Sequence, residues 1–92
     1  MPQRYRKQIH PGSGPEKAFG QALREIRESR DISQEQLAFE AGFDRTYISM
    51  MERGVCSPTI RTVVKLARVL KVRPSAIVAR MEARLAKSPK RA

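Results

Sequence analysis

Apolar residues recur along the chain at the spacing of one helical face, and they do so in five separate stretches. The first stretch carries apolar side chains at i, i+3, i+4 and i+7, namely Phe19, Ala22, Leu23 and Ile26. Pro15 suits the start of this helix because its missing N–H would be unpaired there in any case. We expect the helix to end near Arg30, with Asp31 in a left-handed position that glycine adopts more easily.

The second helix is short and begins with a capping signal. Ser33 is a good N-cap, and Gln36, three residues later, completes the pattern of a capping box by reaching back to the N-cap. Gly42 ends the helix. Its buried face is predicted to consist of Leu37, Ala38 and Ala41.

The third helix follows after only three residues, 42–44. Asp44 is its predicted N-cap, because a carboxylate suits the positive end of a helix dipole. The helix is expected to run from Arg45 to about Arg53, and Gly54 ends it. Two short helices separated by so short a turn form a helix-turn-helix unit.

Two more helices complete the pattern. The fourth is predicted from Thr59 to Leu70, and the fifth from Pro74 to about Lys87. The buried stripe of the fourth is Val63, Leu66, Ala67 and Leu70. No stretch indicates a clear strand, so we expect an all-α, five-helix domain over residues 15–86. A flexible basic arm is predicted at 1–14 and a basic tail at 87–92.

The third helix has two different faces on a helical wheel. Its outward face, an arc of about 140°, carries Arg45, Thr46, Ser49, Met50 and Arg53. Ile48, Met51 and Glu52 lie on the other side, and Tyr47 lies at the margin. Arginine can donate to two acceptors of a guanine, hydroxyls serve several bases, and a thioether can touch the thymine methyl. The outward face therefore suits a DNA major groove; the alternative is that its arginines are ordinary solvated residues.

Charge is distributed unevenly along the chain, whose formal net charge is +10. Residues 1–44 carry seven basic and seven acidic side chains, whereas residues 45–92 carry 12 basic and two acidic ones. Such a field attracts a polyanion. Nucleic acid is the favoured partner; an anionic membrane surface or a merely basic soluble surface are the alternatives.

The remaining composition excludes several classes of site. Cys56 is the one cysteine, which excludes an internal disulfide and a multi-cysteine zinc site. His10 stands alone, and no serine has His and Asp partners placed to activate it. No apolar stretch approaches the roughly 20 residues that span a bilayer, and the basic start lacks the apolar segment of a secretory signal. We therefore expect a cytoplasmic protein that is not an enzyme and needs no metal, cofactor or small-molecule ligand.

Residues 19–78 resemble the phage-repressor type of helix-turn-helix domain, also called lambda-repressor-like. The matching runs are FGQALREIRESRDISQEQLAFEAGFDRTYISMMERG and SPTIRTVVKLARVLKV. The run DRTYIS is especially similar to that of restriction–modification controller proteins. The resemblance implies a five-helix DNA-binding domain with the helix-turn-helix at helices two and three.

The resemblance also implies roles for single residues. Base edges would be met by Arg45, Thr46, and Ser49 or Met50. The sugar–phosphate backbone would be contacted by Gln34, Tyr47, Arg53 and Ser57. Arg27 and Glu52 match a family pair that joins helix one to helix three through an inward ion pair. Breaking one side of such a pair destabilises a protein by several kcal/mol, roughly 3–5.

The fifth helix carries an apolar stripe, Val78, Met81 and Leu85, that the core does not need in full. Exposed apolar stripes mark interfaces, and the resemblance implies pairing through the C-terminal helix. We expect a symmetric homodimer; the alternative is that the stripe folds back onto helix one.

These features favour a sequence-specific transcriptional regulator, of repressor or controller type, that binds a palindromic DNA operator as a homodimer. One alternative is the antitoxin of a toxin–antitoxin pair that regulates its own operon. The tails carry only Tyr5 and Ile9 as large apolar residues, which counts against a docking segment for a toxin. A second alternative, a non-specific nucleic-acid binder, is disfavoured by the discriminating groups on helix three.

Overall fold

The computed structural model describes residues 14–86, and five α-helices connected by short turns account for most of them. The helices are α1 (Gly14–Ser29), α2 (Gln34–Ala41), α3 (Arg45–Glu52), α4 (Ile60–Leu70) and α5 (Pro74–Ala86). The described residues contain no strand. The prediction of an all-α, five-helix domain is therefore confirmed. The predicted basic tail lies outside the described residues, as does the predicted arm apart from Gly14, which opens α1.

The start of α2 has only half of the predicted capping box. Ser33 Oγ accepts a hydrogen bond from the backbone N–H of Gln36 at 3.0 Å. The Gln36 side chain accepts no hydrogen bond from the backbone N–H of Ser33; it extends along the helix, where its Nε2 donates to Glu40 Oε2 at 3.0 Å. An exposed amide can bond a carboxylate one turn along its own helix as well as it can bond the N-cap. The prediction that Gln36 bonds back to the N-cap residue is thus wrong.

The starts of α3 and α4 differ in the same respect. Asp44 has the extended backbone of an N-cap at α3, but its side chain makes no capping hydrogen bond. Thr59 does cap α4, since its Oγ1 accepts from the backbone N–H of Thr62 at 3.1 Å. The fourth helix accordingly begins at Ile60, one residue later than predicted.

Two helices end in the left-handed region without a glycine. Asp31, after α1, has φ +58°, and Lys71, after α4, has φ +59°. This conformation costs about 1–2 kcal/mol for a residue that has a Cβ. At Lys71 the backbone N–H is directed to the carbonyls of Ala67 and Arg68, which would otherwise be unpaired at the helix end.

The core lies where the apolar faces of all five helices meet. Among residues 14–86 the largest fully buried side chains are Leu23, Leu37, Ile48, Met51, Leu66, Leu70 and Ile77. Val63 was predicted to be buried, but it packs at the edge of this core and is only partly buried. The apolar stripe of α4 is wider than the surface that the other helices cover, so Val63 lies at its margin.

Helix α1 approaches the end of α3 backbone to backbone. A Cβ at Gly20 would lie 2.3 Å from the carbonyl oxygen of Met51 and 2.6 Å from that of Glu52. At the turn after α3, a Cβ at Gly54 would lie 2.8 Å from Lys17 Cα. Side chains at these two positions would hold the helices apart, so the two glycines permit the contact that supports α3 from behind.

Candidate nucleic-acid interface

Helix α3 is amphipathic, with one face in the core and the other facing outward. Ile48 and Met51 have no exposed surface, and Glu52 is buried with them. Arg45 and Thr46, in the first turn, are exposed. The other residues predicted on the outward face are less uniform: Arg53 is exposed, whereas Ser49 and Met50 are partly buried. The structure thus brings an arginine and a hydroxyl together at the start of a helix whose opposite face is fixed by packing.

The buried face of α3 ends in a charged pair that joins it to α1. Arg27 Nε donates to Glu52 Oε2 at 2.7 Å, and Arg27 Nη2 donates to Glu52 Oε1 at 3.1 Å. The guanidinium also donates from Nη1 to the backbone carbonyl of Ile32 at 2.8 Å, just before α2. A single side chain therefore fixes α1, the turn before α2 and the last residue of α3.

The ion pair shifts the pKa of Arg27. Hydrogen bonding to Glu52 raises the pKa of Arg27 above its usual value, although the burial of Arg27 opposes the rise. Arginine is protonated in proteins in any case. The Arg27 guanidinium is therefore always charged, and Glu52 always has a charged partner across the α1–α3 contact.

Gln34, at the first position of α2, extends the same network. Its Nε2 donates to Glu52 Oε1 at 3.0 Å, so the side-chain amide is turned toward α3. The sequence had suggested only a phosphate contact for Gln34, and an inward bond of this kind requires knowledge of how α2 crosses α3. An amide nitrogen carries two hydrogens. One remains for another acceptor, and Gln34 is only partly buried.

Tyr47 lies between α3 and α4 and does not point freely into solvent. Its Oη is 3.2 Å from Thr62 Oγ1, and its ring meets that of Phe43 edge-on, with the centroids 5.1 Å apart. Lys65 Nζ lies over the Phe43 ring, 5.4 Å from its centroid. Sequence reasoning missed Phe43, Thr62 and Lys65. The aromatic residue inside the turn was the available signal for Phe43, whereas the α4 residues had none.

Ser57 is exposed in the loop before α4. It lines a shallow, largely apolar cavity of about 150 Å³ together with Pro58, Val63, Val78 and Met81. The neighbouring Cys56 is partly buried, and burial raises the pKa of its thiol. A raised pKa keeps the thiol protonated and less nucleophilic.

The three predicted interface residues of α5 do not share one environment. Val78 is 44% exposed and Leu85 is 37% exposed, whereas Met81 is partly buried against the core. The helix packs against α1, and Arg80 Nη1 lies 3.3 Å from Glu25 Oε1. Arg84 also contacts the Glu25 carboxylate. The outward part of the stripe is therefore limited to Val78 and Leu85, with Met81 at its inner edge.

Two other kinds of site are absent from residues 14–86. In this range no three or more His, Cys, Asp or Glu side chains are grouped as a metal site would require. No helix in the same range combines the length and the apolar character needed to span a membrane.

Comparison with known proteins places the helix-turn-helix in a family. The profile of the helix-turn-helix family matches residues 23–77. The control protein C.BamHI of Bacillus amyloliquefaciens is 46% identical over 57 residues, which cover 61% of this chain and 70% of that protein. The residues matched by the family profile, 23–77, contain α2, the turn and α3.

Two solved structures are similar in fold and sequence. The restriction–modification controller protein C.AhdI from Aeromonas hydrophila superposes with a TM-score of 0.65 at 41% identity, over 66% of this chain and 92% of that one. The restriction–modification controller protein C.Esp1396I superposes with a TM-score of 0.74 at 26% identity, over 83% of this chain and 99% of that one.

Proposed function

The chain belongs to the helix-turn-helix family of DNA-binding transcriptional regulators, and we propose that it is a sequence-specific regulator of the controller or repressor type that binds a palindromic operator as a homodimer. The observation that carries the proposal is the outward face of α3. Arg45 and Thr46 are exposed there, while Ile48 and Met51 on the opposite face are completely buried. A reading face on a helix held by the core can present its donors in a fixed geometry.

Base recognition is assigned to the N-terminal half of α3. Arg45 donates to two acceptors on a guanine, and Thr46 contacts the neighbouring base. Ser49 and Met50 lie one turn further and, being partly buried, reach only bases that come close to the helix. The most discriminating contact in each half-site is therefore that of Arg45.

Phosphate contacts are assigned to the margins of the helix-turn-helix. Gln34 keeps one side-chain N–H free beside the N-terminus of α2, where helix geometry also favours an anion. Arg53, at the end of α3, and Ser57, in the following loop, are exposed. Tyr47 contributes its hydroxyl between α3 and α4. These contacts set the position of the protein on the duplex without reading its sequence.

Dimerisation is assigned to α5. Val78 and Leu85 are apolar and exposed, and Met81 lies at the inner edge of the same stripe. Pairing through a two-fold axis places two α3 helices in successive major grooves, about 34 Å apart. The operator is then a roughly inverted repeat.

The decisive experiment is selection from a random DNA pool at about 150 mM salt, where sequence-independent binding is weak. An enriched inverted repeat is the expected result. Enrichment of a single half-site would contradict the dimer. Recovery of no motif would contradict sequence-specific binding and leave the antitoxin and the non-specific binder as the remaining candidates.

Arg45→Ala tests the base contact. We expect the variant to lose discrimination at one position of each half-site, by about 1–3 kcal/mol. The control is Arg53→Ala, which should weaken binding to all sequences alike and lower the salt dependence by about one charge. Both are measured by titrating each protein with the selected duplex and its single-base variants. Equal weakening on every duplex by Arg45→Ala would show that this arginine binds phosphate instead.

Leu85→Glu tests the dimer. A carboxylate on each copy at a two-fold interface brings buried like charges together, so the variant should sediment as a monomer. Val64→Glu is a matched control, because Val64 on α4 is also 37% exposed but lies outside the proposed interface. Unchanged sedimentation of Leu85→Glu, or an equal effect of Val64→Glu, would place the interface elsewhere.

A further inference from the structure

A chain of three hydroxyl groups connects the start of α4 to Tyr47 on α3. The backbone N–H of Thr62 donates to Thr59 Oγ1 at 3.1 Å. Thr59 Oγ1 in turn donates to Thr62 Oγ1 at 3.1 Å. Thr62 Oγ1 then lies 3.2 Å from Tyr47 Oη. The bonds join the capping residue of one helix to the margin of the proposed reading helix.

The hydrogens of this chain can be assigned by counting. Each hydroxyl has one hydrogen to donate. Thr59 gives its hydrogen to Thr62, so Thr62 cannot return its own to Thr59. Thr62 is buried, with 6% of its surface exposed, and Tyr47 Oη is its remaining hydroxyl contact. A buried donor is rarely left unpaired; Thr62 therefore donates to Tyr47, and the tyrosine hydrogen stays free.

The tyrosine ring is also held by a contact of its own. Phe43 meets it at an interplanar angle of 82° from the turn between α2 and α3, and Lys65 lies over the Phe43 ring. The ring is thus fixed from the turn, and the hydroxyl oxygen is fixed from α4. A binding side chain that its neighbours hold in place is preorganised for its ligand.

We propose that Thr62 is a positioning residue for DNA binding: it donates a hydrogen bond to Tyr47 Oη and leaves the tyrosine O–H free to donate to a DNA phosphate. This rests on the proposed function, which assigns a backbone contact to Tyr47. Thr62 does not itself touch DNA. Its effect passes through Tyr47, and each bond in the chain polarises the next, which strengthens the terminal donor.

The test is a double-mutant cycle on Tyr47→Phe and Thr62→Val. Valine retains the shape of threonine and the backbone N–H that Thr59 caps, but it lacks the hydroxyl. Thr62→Ser restores the hydroxyl and serves as the conservative control. Thermal melting of every variant comes first, and titrations are made well below the lowest melting temperature. Should Thr62→Val not melt cooperatively, Thr62→Ala, which cannot overfill the site, repeats the cycle.

The probe is the duplex enriched by selection. If selection enriches no motif, a mixed-sequence duplex of the same length at about 50 mM salt takes its place, because phosphate binding is measurable there without sequence recognition. Failure of the proposed function therefore appears in the selection, and failure of the present inference appears in the cycle.

Loss of a hydrogen bond to a charged phosphate predicts that Tyr47→Phe weakens binding about tenfold or more. Thr62→Val should weaken it about threefold to tenfold, since the tyrosine ring stays in place but its hydroxyl is no longer held by a hydrogen bond from α4. The double variant should bind within about twofold of Tyr47→Phe, because coupled residues are not additive. Thr62→Ser should bind as the parent does. Parental binding by Thr62→Val, multiplication of the two losses, or no rescue by serine would each overturn the inference.

Discussion

Helix α1 is joined to α3 and to α5 by charged contacts of the same chemistry but different burial. Toward α3, the side chains of Arg27 and Glu52 are only 10% and 3% exposed. Toward α5, Glu25 is 31% exposed, and its partners Arg80 and Arg84 are 53% and 39% exposed. The first contact belongs to the core, whereas the second is in contact with water.

This difference separates two parts of the domain. An exposed ion pair is screened and contributes little. A buried one leaves a desolvated charge behind when a partner is lost. The link from α1 to α3 therefore fixes the helix that is proposed to read DNA. Because the ion pairs between α1 and α5 are exposed, α5 is held mainly by buried apolar residues such as Ile77.

Arg27→Met should have the largest effect, a loss of about 3–5 kcal/mol in the free energy of unfolding. The carboxylate of Glu52 would remain buried without a cation, and the carbonyl of Ile32 would lose its donor. Urea denaturation measures the loss. Arg24→Met is the matched control, because Arg24 pairs with Glu28 on the surface of the same helix.

If Arg27→Met cost less than about 1 kcal/mol, which is the range of exposed pairs, the buried pair would stabilise the domain no more than the exposed pairs do. The double variant Arg27→Met, Glu52→Leu tests whether the unpaired carboxylate of Glu52 causes the loss of stability. Removing both charges should restore much of the stability, since a buried pair is often no better than apolar residues of similar size. Its failure to recover would mean that part of the cost comes from Gln34, left without its acceptor, and from the Ile32 carbonyl, left without its donor.

Gly20→Ala tests how close α1 and α3 must be. The new methyl group would lie 2.3 Å from the carbonyl oxygen of Met51, a backbone atom that cannot rotate away. Overpacking of this kind costs about 1–3 kcal/mol, although alanine is the better helix former by roughly 1 kcal/mol. Gln21→Ala, at the adjacent and partly buried position, is the control in thermal unfolding. Stabilisation by Gly20→Ala would show that the helices can separate without loss.

Much of the fold could be predicted because its signals are local. Spacing of apolar residues located the five helices, and Ser33 and Gly42 marked the ends of α2. Asp31 was expected to be left-handed because it directly follows the last turn of α1. The same conformation at Lys71 was not predicted, since lysine is not a residue that favours it.

The candidate site was less predictable because its contacts cross between helices. The outward face of α3 follows from the helical period and needs no further information. The partners of Gln34 and Tyr47 depend on how α3 packs on α2 and α4. The spacing of apolar residues along the chain does not give the angles at which these helices cross. Gln36 shows the same limit within one helix, because its amide could turn its oxygen to the backbone N–H of the N-cap or its nitrogen to Glu40, and the pattern could not choose between them.

Glu25→Gln should have the smallest effect, a loss of about 0.2–1 kcal/mol in the free energy of unfolding. Arg80 and Arg84 would lose their carboxylate, but water would solvate both. Glu82→Gln, on the exposed side of α5, removes the same charge and is the control. The difference between the two variants should shrink at about 0.5 M salt, where exposed charges are screened. A loss above about 2 kcal/mol that appears only at high protein concentration would mean that dimer formation buries the link, and the two attachments of α1 would then be alike in the assembled protein.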